Sequence, residues 1–248
     1  MRSTTFPNLT KLTNTILASG ACLLLMSGAQ AQINVSSRQS TIRYGWVHGG
    51  GPDVHSGEVT NIYTDLLGAD LQGAVFSDAT AGEWSGHTWD TSVHCEISSA
   101  YSFTGVAGYS SRIQDAQSTL VESTAGGDIG LASMQSNNPG NENVFYFRAV
   151  KPSDFHLTGS IVGGSSAFTH VTLQRFNGFN WDNLFLSFMI NGTDIVWDVQ
   201  GTLTPGSDYR LISAIDNSVG GTDSHLKTMD YDFRVTRHLS LMTGRKPD

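Results

Sequence analysis

The chain is poor in charge and in cysteine, and both shortages restrict what it can be. Charged residues make up 15% of the 248 positions, and 22 acids against 14 Lys and Arg give a net charge of −8. A negative net charge repels nucleic acids and anionic membrane faces, so neither is an expected partner. The two cysteines, Cys22 and Cys95, are too few for a disulfide scaffold. Cys95 is predicted to be a buried strand residue, as most free cysteines are, and not a nucleophile, because its neighbour His94 would point to the opposite face of a strand and could not act as its base.

Long apolar runs are also missing, since none reaches the roughly 20 residues that a membrane-spanning helix needs. A short apolar stretch at 16–26 follows Arg2 and Lys11 and precedes Ala29-Gln30-Ala31. This order is typical of a secretory signal peptide that is cleaved after Ala31. We therefore predict a signal peptide at 1–31 and a secreted protein, with the periplasm as the alternative. Cleavage would remove two basic residues and no acids, so the mature chain would be still more acidic.

No segment shows the 3.6-residue apolar stripe of an amphipathic helix, and apolar residues alternate with polar ones instead. About a dozen short alternating runs, separated by Gly, Pro and Asn turns, predict an all-β protein of the β-sandwich or jelly-roll type. Thr204-Pro205-Gly206-Ser207 has the residues of a type II turn, and Asn191-Gly192 is a hairpin signal. We predict one domain at 32–237, with an alternative sub-boundary near 136–142, and a polar tail at 238–248.

The second half of the chain carries a pattern of aromatic and glycine residues that is typical of strand, turn and strand. It reads Phe145-x-Phe147, Pro152, Phe155-x-Leu157-x-Gly159, Gly201-x-Leu203-x-Pro205-Gly206-x-x-Tyr209-x-Leu211 and Tyr231-x-Phe233-x-Val235. This resembles secreted bacterial β-sandwich proteins of the PEP-CTERM (exosortase-sorted) type. The resemblance implies a Gram-negative source and surface or matrix association, and it carries over no catalytic residues. The sequence given ends at Asp248 without a Pro-Glu-Pro sorting tail, so free secretion is expected over anchoring.

Four histidines are candidate metal ligands. His48 and His55 flank a Gly-Gly-Gly-Pro-Asp stretch, and His87 and His94 lie further along the chain. If the two segments meet, the four imidazoles and the carboxylates of Asp53 and Asp90 would supply ligands suited to zinc or copper. The spacing of seven between His48 and His55 matches no helical metal motif, so two exposed polar loops are the alternative.

Two further binding hypotheses rest on turn residues. Extracellular sandwiches commonly hold structural calcium with oxygen ligands, for which the candidates are Asp182-Asn183, Asp194, Asp216-Asn217 and Asp223, although turn chemistry of Asp and Asn side chains is the default interpretation. Trp84, Trp89 and Trp181 lie in polar stretches and could stack on sugar rings if exposed, or else cap the edge of the sandwich. Trp197 alternates with apolar residues and is predicted to lie in the core.

No catalytic motif stands out, because the chain lacks a G-x-S-x-G elbow and a distinctive carboxylate pair. We therefore predict a secreted, non-enzymatic protein with a structural or surface-interaction role and with extracellular polysaccharide or surface proteins as partners. A carbohydrate-binding module is the second hypothesis, and an extracellular polysaccharide-active enzyme is the third.

Overall fold

Two antiparallel sheets form the computed structural model, which describes residues 32–64, 69–106, 110–136, 142–163, 169–189 and 193–238. The predicted signal peptide, the Asn191-Gly192 hairpin turn and the tail from 239 lie outside these ranges. Within them there is no helix, and the all-β sandwich-like prediction is confirmed. Accordingly, the described residues contain no helix long and apolar enough to cross a membrane.

Fourteen strands occupy the described ranges. They are β1 (Ile33–Gly50), β2 (Asp53–Tyr63), β3 (Ala69–Trp84), β4 (His87–Val106), β5 (Ser110–Gly127), β6 (Leu131–Ser136), β7 (Glu142–Ala149), β8 (Ser153–Gly163), β9 (His170–Phe176), β10 (Trp181–Phe188), β11 (Ile195–Leu203), β12 (Asp208–Ala214), β13 (Asn217–Gly220) and β14 (Asp223–Arg237). Sheet A has the order β10-β9-β12-β7-β1-β6-β13, with β2 paired to β1. Sheet B has the order β11-β8-β14-β5-β4-β3.

Alternation of side chains between the two faces of each strand builds the interior. In β5, buried and partly exposed residues alternate along most of the strand, with Ile113 and Val121 fully buried. The strands are longer than the short alternating runs that the sequence predicts, with 20 residues in β4 and 18 in β5. Their Ser-, Thr- and Ala-rich segments stay extended because they pair continuously with each other, even where apolar alternation weakens.

The buried apolar residues form two clusters. One holds Leu157, Tyr209 and Phe233, and the other holds Ile42, Val121 and Met134. Strands β1, β4 and β5 contribute to both clusters, so they run the length of the sandwich. The predicted sub-boundary near 136–142 falls between β6 and β7, which both pair with β1.

A buried polar layer separates the two clusters. Asn143 lies between two buried charged residues: its Oδ1 accepts a hydrogen bond from Arg38 Nη2 at 2.8 Å, and its Nδ2 donates to Asp115 Oδ2 at 3.0 Å. Gln117 and Ser213 donate to the same carboxylate at 2.7 Å each. Burying charge is tolerated here because the carboxylate is hydrogen-bonded on several sides.

The predicted turn at Thr204–Ser207 is confirmed. Gly206 has a φ of +76°, the left-handed value that the third position of a type II turn requires, and Ser207 N–H donates to Thr204 O at 3.3 Å.

Candidate functional site

A tight hairpin brings two of the predicted metal ligands together. β1 and β2 are joined by Gly51 and Pro52, with Gly51 at a φ of +55°, and the register places His48 directly opposite His55. Their ring centroids are 5.3 Å apart. A spacing of seven therefore does have a geometric meaning here, which the sequence analysis missed: around a two-residue turn it defines a facing cross-strand pair.

Asp78, which the sequence analysis did not select, completes a group of three. It lies on β3 of the opposite sheet, with Oδ2 at 3.1 Å from His48 Nε2 and at 3.4 Å from His55 Nδ1. One ligand atom from each residue lies within 4.8 Å of the others. The His48 side chain is completely buried, whereas the His55 and Asp78 side chains are about 40% exposed. The group therefore sits at the boundary between the interior and the solvent.

The other polar atoms of the three residues are held by neighbours. Asp53 Oδ1 is 3.2 Å from His55 Nε2, and Thr91 Oγ1 is 3.3 Å from His48 Nδ1. The Ala79 N–H donates to Asp78 Oδ1 at 2.9 Å, which leaves Oδ2 facing the imidazoles. Contact with the His48 imidazole keeps the pKa of Asp78 below its usual value.

The remaining predicted ligands, His87 and His94, lie elsewhere. His87 pairs with Asp128, and His94 lies on the outer face of sheet B beside Ser77 and Glu96. Seven of the eight histidines have a carboxylate oxygen within 4.0 Å, so such a contact alone is ordinary on this molecule. In the part of the chain that the structure describes, His48, His55 and Asp78 stand apart because two histidines share one carboxylate.

Ser77, His94 and Glu96 form a chain of contacts that no sequence motif predicts. Ser77 Oγ is 2.6 Å from His94 Nδ1, and His94 Nε2 is 3.2 Å from Glu96 Oε1. These residue types can make a nucleophile, a base and an orienting acid. Here they lie on the outer surface of sheet B, with Ser77 on the edge strand β3, with Ser77 and Glu96 exposed and with His94 partly exposed.

Cys95 is not available for nucleophilic chemistry, as predicted. It is fully buried in β4, on the face opposite to His94, and burial raises the pKa of its thiol to about 12. The thiolate that would react is therefore strongly disfavoured.

The three candidate tryptophans occupy different environments. Trp84 is exposed at the end of β3, and Trp197 is buried, as predicted. Trp89 does not meet the condition for stacking on a sugar ring, because it is a strand residue that is only 6% accessible and packs against Gly50 and Gly82. Those two glycines leave the space that the indole fills.

Trp181 lies half-buried on the outer face of sheet A. The Arg210 guanidinium carbon is 4.6 Å from the Trp181 ring centre, and the Phe176 ring centroid is 5.3 Å away. Arg210 also donates to Gln174 Oε1, and Gln174 Nε2 donates to Asn183 Oδ1 at 2.7 Å. The result is an aromatic ring bordered by a connected row of polar side chains.

The calcium candidates each make separate local contacts. Asp182 accepts from Asn177, Asp194 accepts from the Gly163 N–H, and Asn217 donates to two backbone carbonyls. Among the described residues, no three acidic groups lie close together at any of these positions. Structural calcium stays a prediction without a geometric site.

Comparisons with known proteins give no family. No protein-family model matches the chain, and no curated protein matches it. Among solved structures it is similar to "Structure of infectious bursal disease virus Gx strain", at a TM-score of 0.19 and 10% identity, covering 94% of this chain and 78% of that chain. A likeness at this score carries no argument about fold or function. The resemblance to PEP-CTERM proteins stays a prediction.

Proposed function

We propose that the protein is a secreted, non-enzymatic structural protein that acts by surface contact. Its contact surface is the outer side of the hairpin formed by β9 and β10, which we call the β9–β10 surface (residues 176–188). The partner that this surface fits best is a second copy of the chain. The observation that carries the proposal is the concentration of exposed apolar side chains on this hairpin.

The exposed apolar residues are unevenly distributed. Of the thirteen large hydrophobic side chains exposed in the described ranges, five lie within this hairpin, namely Phe176, Phe179, Leu184, Leu186 and Phe188. An outward-facing strand surface on an antiparallel sandwich usually carries polar residues. A cluster of exposed apolar residues instead favours a contact surface.

The position of β10 favours a second copy as the partner. In the described part of the chain β10 ends sheet A, so one of its sides has no strand partner. Its sequence carries one charged residue, Asp182, and no Lys, Arg or Pro, the residues that usually protect edge strands. Two copies of such a strand can pair about a two-fold axis and bury Leu184, Leu186 and Phe188 together.

Sedimentation velocity of the secreted chain from about 1 µM to about 500 µM tests the proposal. We expect a reversible dimer, which Leu186→Lys weakens at least about tenfold because a lysine charge would be buried at the contact. Val196→Lys is the matched control, since Val196 is 80% exposed on β11, the edge of the other sheet. A parent chain that stays monomeric throughout, or an equal loss in the Val196 variant, would reject the proposal.

Carbohydrate binding is a second candidate function, and the surroundings of Trp181 favour it. Sugar rings stack on aromatic faces, and planar amide and guanidinium groups such as those of Gln174, Asn183 and Arg210 suit their hydroxyl groups. Calorimetry with cellohexaose and chitohexaose provides the test. Binding should be at least about tenfold weaker in Trp181→Ala and unchanged in Trp84→Ala. Absence of binding to both saccharides, or equal loss in both variants, would exclude this candidate.

A further inference from the structure

We propose that His48, His55 and Asp78 form a binding site for a divalent transition metal ion of the zinc type, independent of the β9–β10 surface. With metal–ligand bonds of about 2.0–2.1 Å, the ligand atoms of a tetrahedral site lie about 3.3 Å apart. Asp78 Oδ2 lies 3.1 Å from His48 Nε2 and 3.4 Å from His55 Nδ1. The two distances to the carboxylate oxygen are therefore already those of a metal-coordinating set, and the ligand atoms of the two imidazoles lie within 4.8 Å of each other.

The buried imidazole provides a second, separate observation. His48 is fully buried, and its Nε2 makes no well-formed hydrogen bond, with Asp78 Oδ2 as an ion-pair contact at 3.1 Å. A buried ring nitrogen without a hydrogen bond is costly unless something satisfies it. A metal ion between Nε2 and Oδ2 would satisfy both atoms.

The surrounding contacts orient the ligand atoms as they do in metal sites. Histidine ligands usually give their second ring nitrogen to a carboxylate or another oxygen, which fixes the ring and its tautomer. Asp53 lies 3.2 Å from His55 Nε2 and Thr91 lies 3.3 Å from His48 Nδ1. Thr80 in turn donates to Asp53 Oδ2 at 3.4 Å. The arrangement keeps His55 Nδ1 and His48 Nε2 directed at the same carboxylate oxygen.

The donor set selects the class of metal. Two imidazoles and one carboxylate suit Zn²⁺ or Cu²⁺, whereas Ca²⁺ and Mg²⁺ prefer oxygen ligands in larger number. Three protein ligands leave a fourth tetrahedral position open, and the partial exposure of His55 and Asp78 places that position towards solvent.

The ligands also come from both halves of the sandwich. His48 and His55 belong to the β1–β2 hairpin of sheet A, and Asp78 belongs to β3, the edge strand of sheet B. A bound ion would therefore tie the hairpin to the edge of the facing sheet. Because binding occurs only when both sheets are in place, the metal would raise the stability of the folded chain.

Calorimetry of the secreted chain with Zn²⁺ at about pH 7.5 tests the site. We expect about one ion per chain, and at least about tenfold weaker binding in His55→Gln and in Asp78→Asn. His87→Gln is the matched control, since it removes an exposed histidine paired with a single carboxylate, Asp128. We expect this control to bind Zn²⁺ like the parent, and Ca²⁺ not to compete.

Two further measurements distinguish a general structural effect of a substitution from loss of a metal-binding side chain. Zn²⁺ should raise the thermal midpoint of the parent and of His87→Gln but not that of His55→Gln, whose midpoint without metal should match the parent. Co²⁺ should give the visible absorption of a tetrahedral site in the parent and in His87→Gln, but not in His55→Gln. Absence of Zn²⁺ binding at about 100 µM, or an equal loss in His55→Gln and His87→Gln, would overturn the proposal.

Discussion

At the scale of single residues, the buried ionisable side chains carry the largest cost of desolvation. Burial raises the pKa of Asp115, and hydrogen bonds from Gln117, Ser213 and Asn143 oppose that rise. Lys227 is fully buried, donating to Thr169 Oγ1 at 3.1 Å and to the Asp216 carbonyl, and burial lowers its pKa to about 8. Each of these groups must therefore give up part of its hydration when the chain folds.

The lowered pKa of Lys227 predicts a pH-dependent stability. Its ordinary pKa is 10.5 and its folded pKa is about 8. Between these values the unfolded chain binds more protons, so this lysine makes the free energy of unfolding rise with pH. Relative to Lys227→Met, the parent should gain on the order of 2–3 kcal/mol from about pH 7 to about pH 10.5. Urea unfolding of both proteins across this pH range measures the difference between their free energies of unfolding. The contributions of the other titrating groups, which both proteins share, cancel in this difference. A pH-independent difference would contradict the prediction.

At the scale of elements, two glycines leave the space in which the Trp89 side chain of the β3–β4 hairpin packs. Gly82 lies opposite Trp89 in the register, and a Cβ at Gly82 would overlap the indole ring. Gly50, at the end of β1, meets the same ring from the facing sheet. The buried position of Trp89 thus depends on small neighbours on two strands that are far apart in sequence.

Gly82→Ala should therefore destabilise the fold by about 1–3 kcal/mol, because the added methyl group must displace the Trp89 ring. Gly45→Ala is the matched control in another strand, since a Cβ at Gly45 would meet only ordinary contacts at 3.5 Å. The control should be neutral or slightly stabilising, through reduced freedom of the unfolded chain. Equilibrium urea denaturation measures both variants. Equal effects would show that the Trp89 contact does not limit this position.

At the scale of the whole molecule, the two apolar clusters are joined by shared strands and by the polar layer between them. β1 places Ile33 in one cluster, Arg38 in the layer and Ile42 in the other cluster. β4 and β5 cross the layer in the same way. Because Asn143 joins Arg38 to Asp115 across the two sheets, loss of order in one cluster should disturb the other.

This coupling predicts one cooperative unfolding transition for the chain, in keeping with the predicted single domain at 32–237. Leu157→Ala in one cluster and Met134→Ala in the other should each cost about 2–5 kcal/mol and shift the whole transition. Far-ultraviolet circular dichroism and tryptophan fluorescence should report coincident curves for both variants. Two separate transitions, each sensitive to one variant, would instead support the alternative sub-boundary near 136–142.

The sequence by itself determined the fold class, because period-two alternation and turn residues act over a few neighbouring positions. The Pro205-Gly206 turn, the buried Cys95 and the core position of Trp197 all follow from such local rules. Strand length did not follow, because Ser- and Thr-rich segments lack a clear apolar alternation and are held by pairing with distant strands.

Only the tertiary structure decided which polar residues meet. His48 and His55 were candidates from the start, but their common partner is Asp78, which reaches them from the facing sheet and carries no local signal. The same holds for Asn143, whose contacts with Arg38 and Asp115 join residues far apart in sequence, and for Trp89, which Gly50 and Gly82 enclose. Local sequence specifies the direction in which a strand residue points, whereas packing of one sheet on the other specifies what that residue meets.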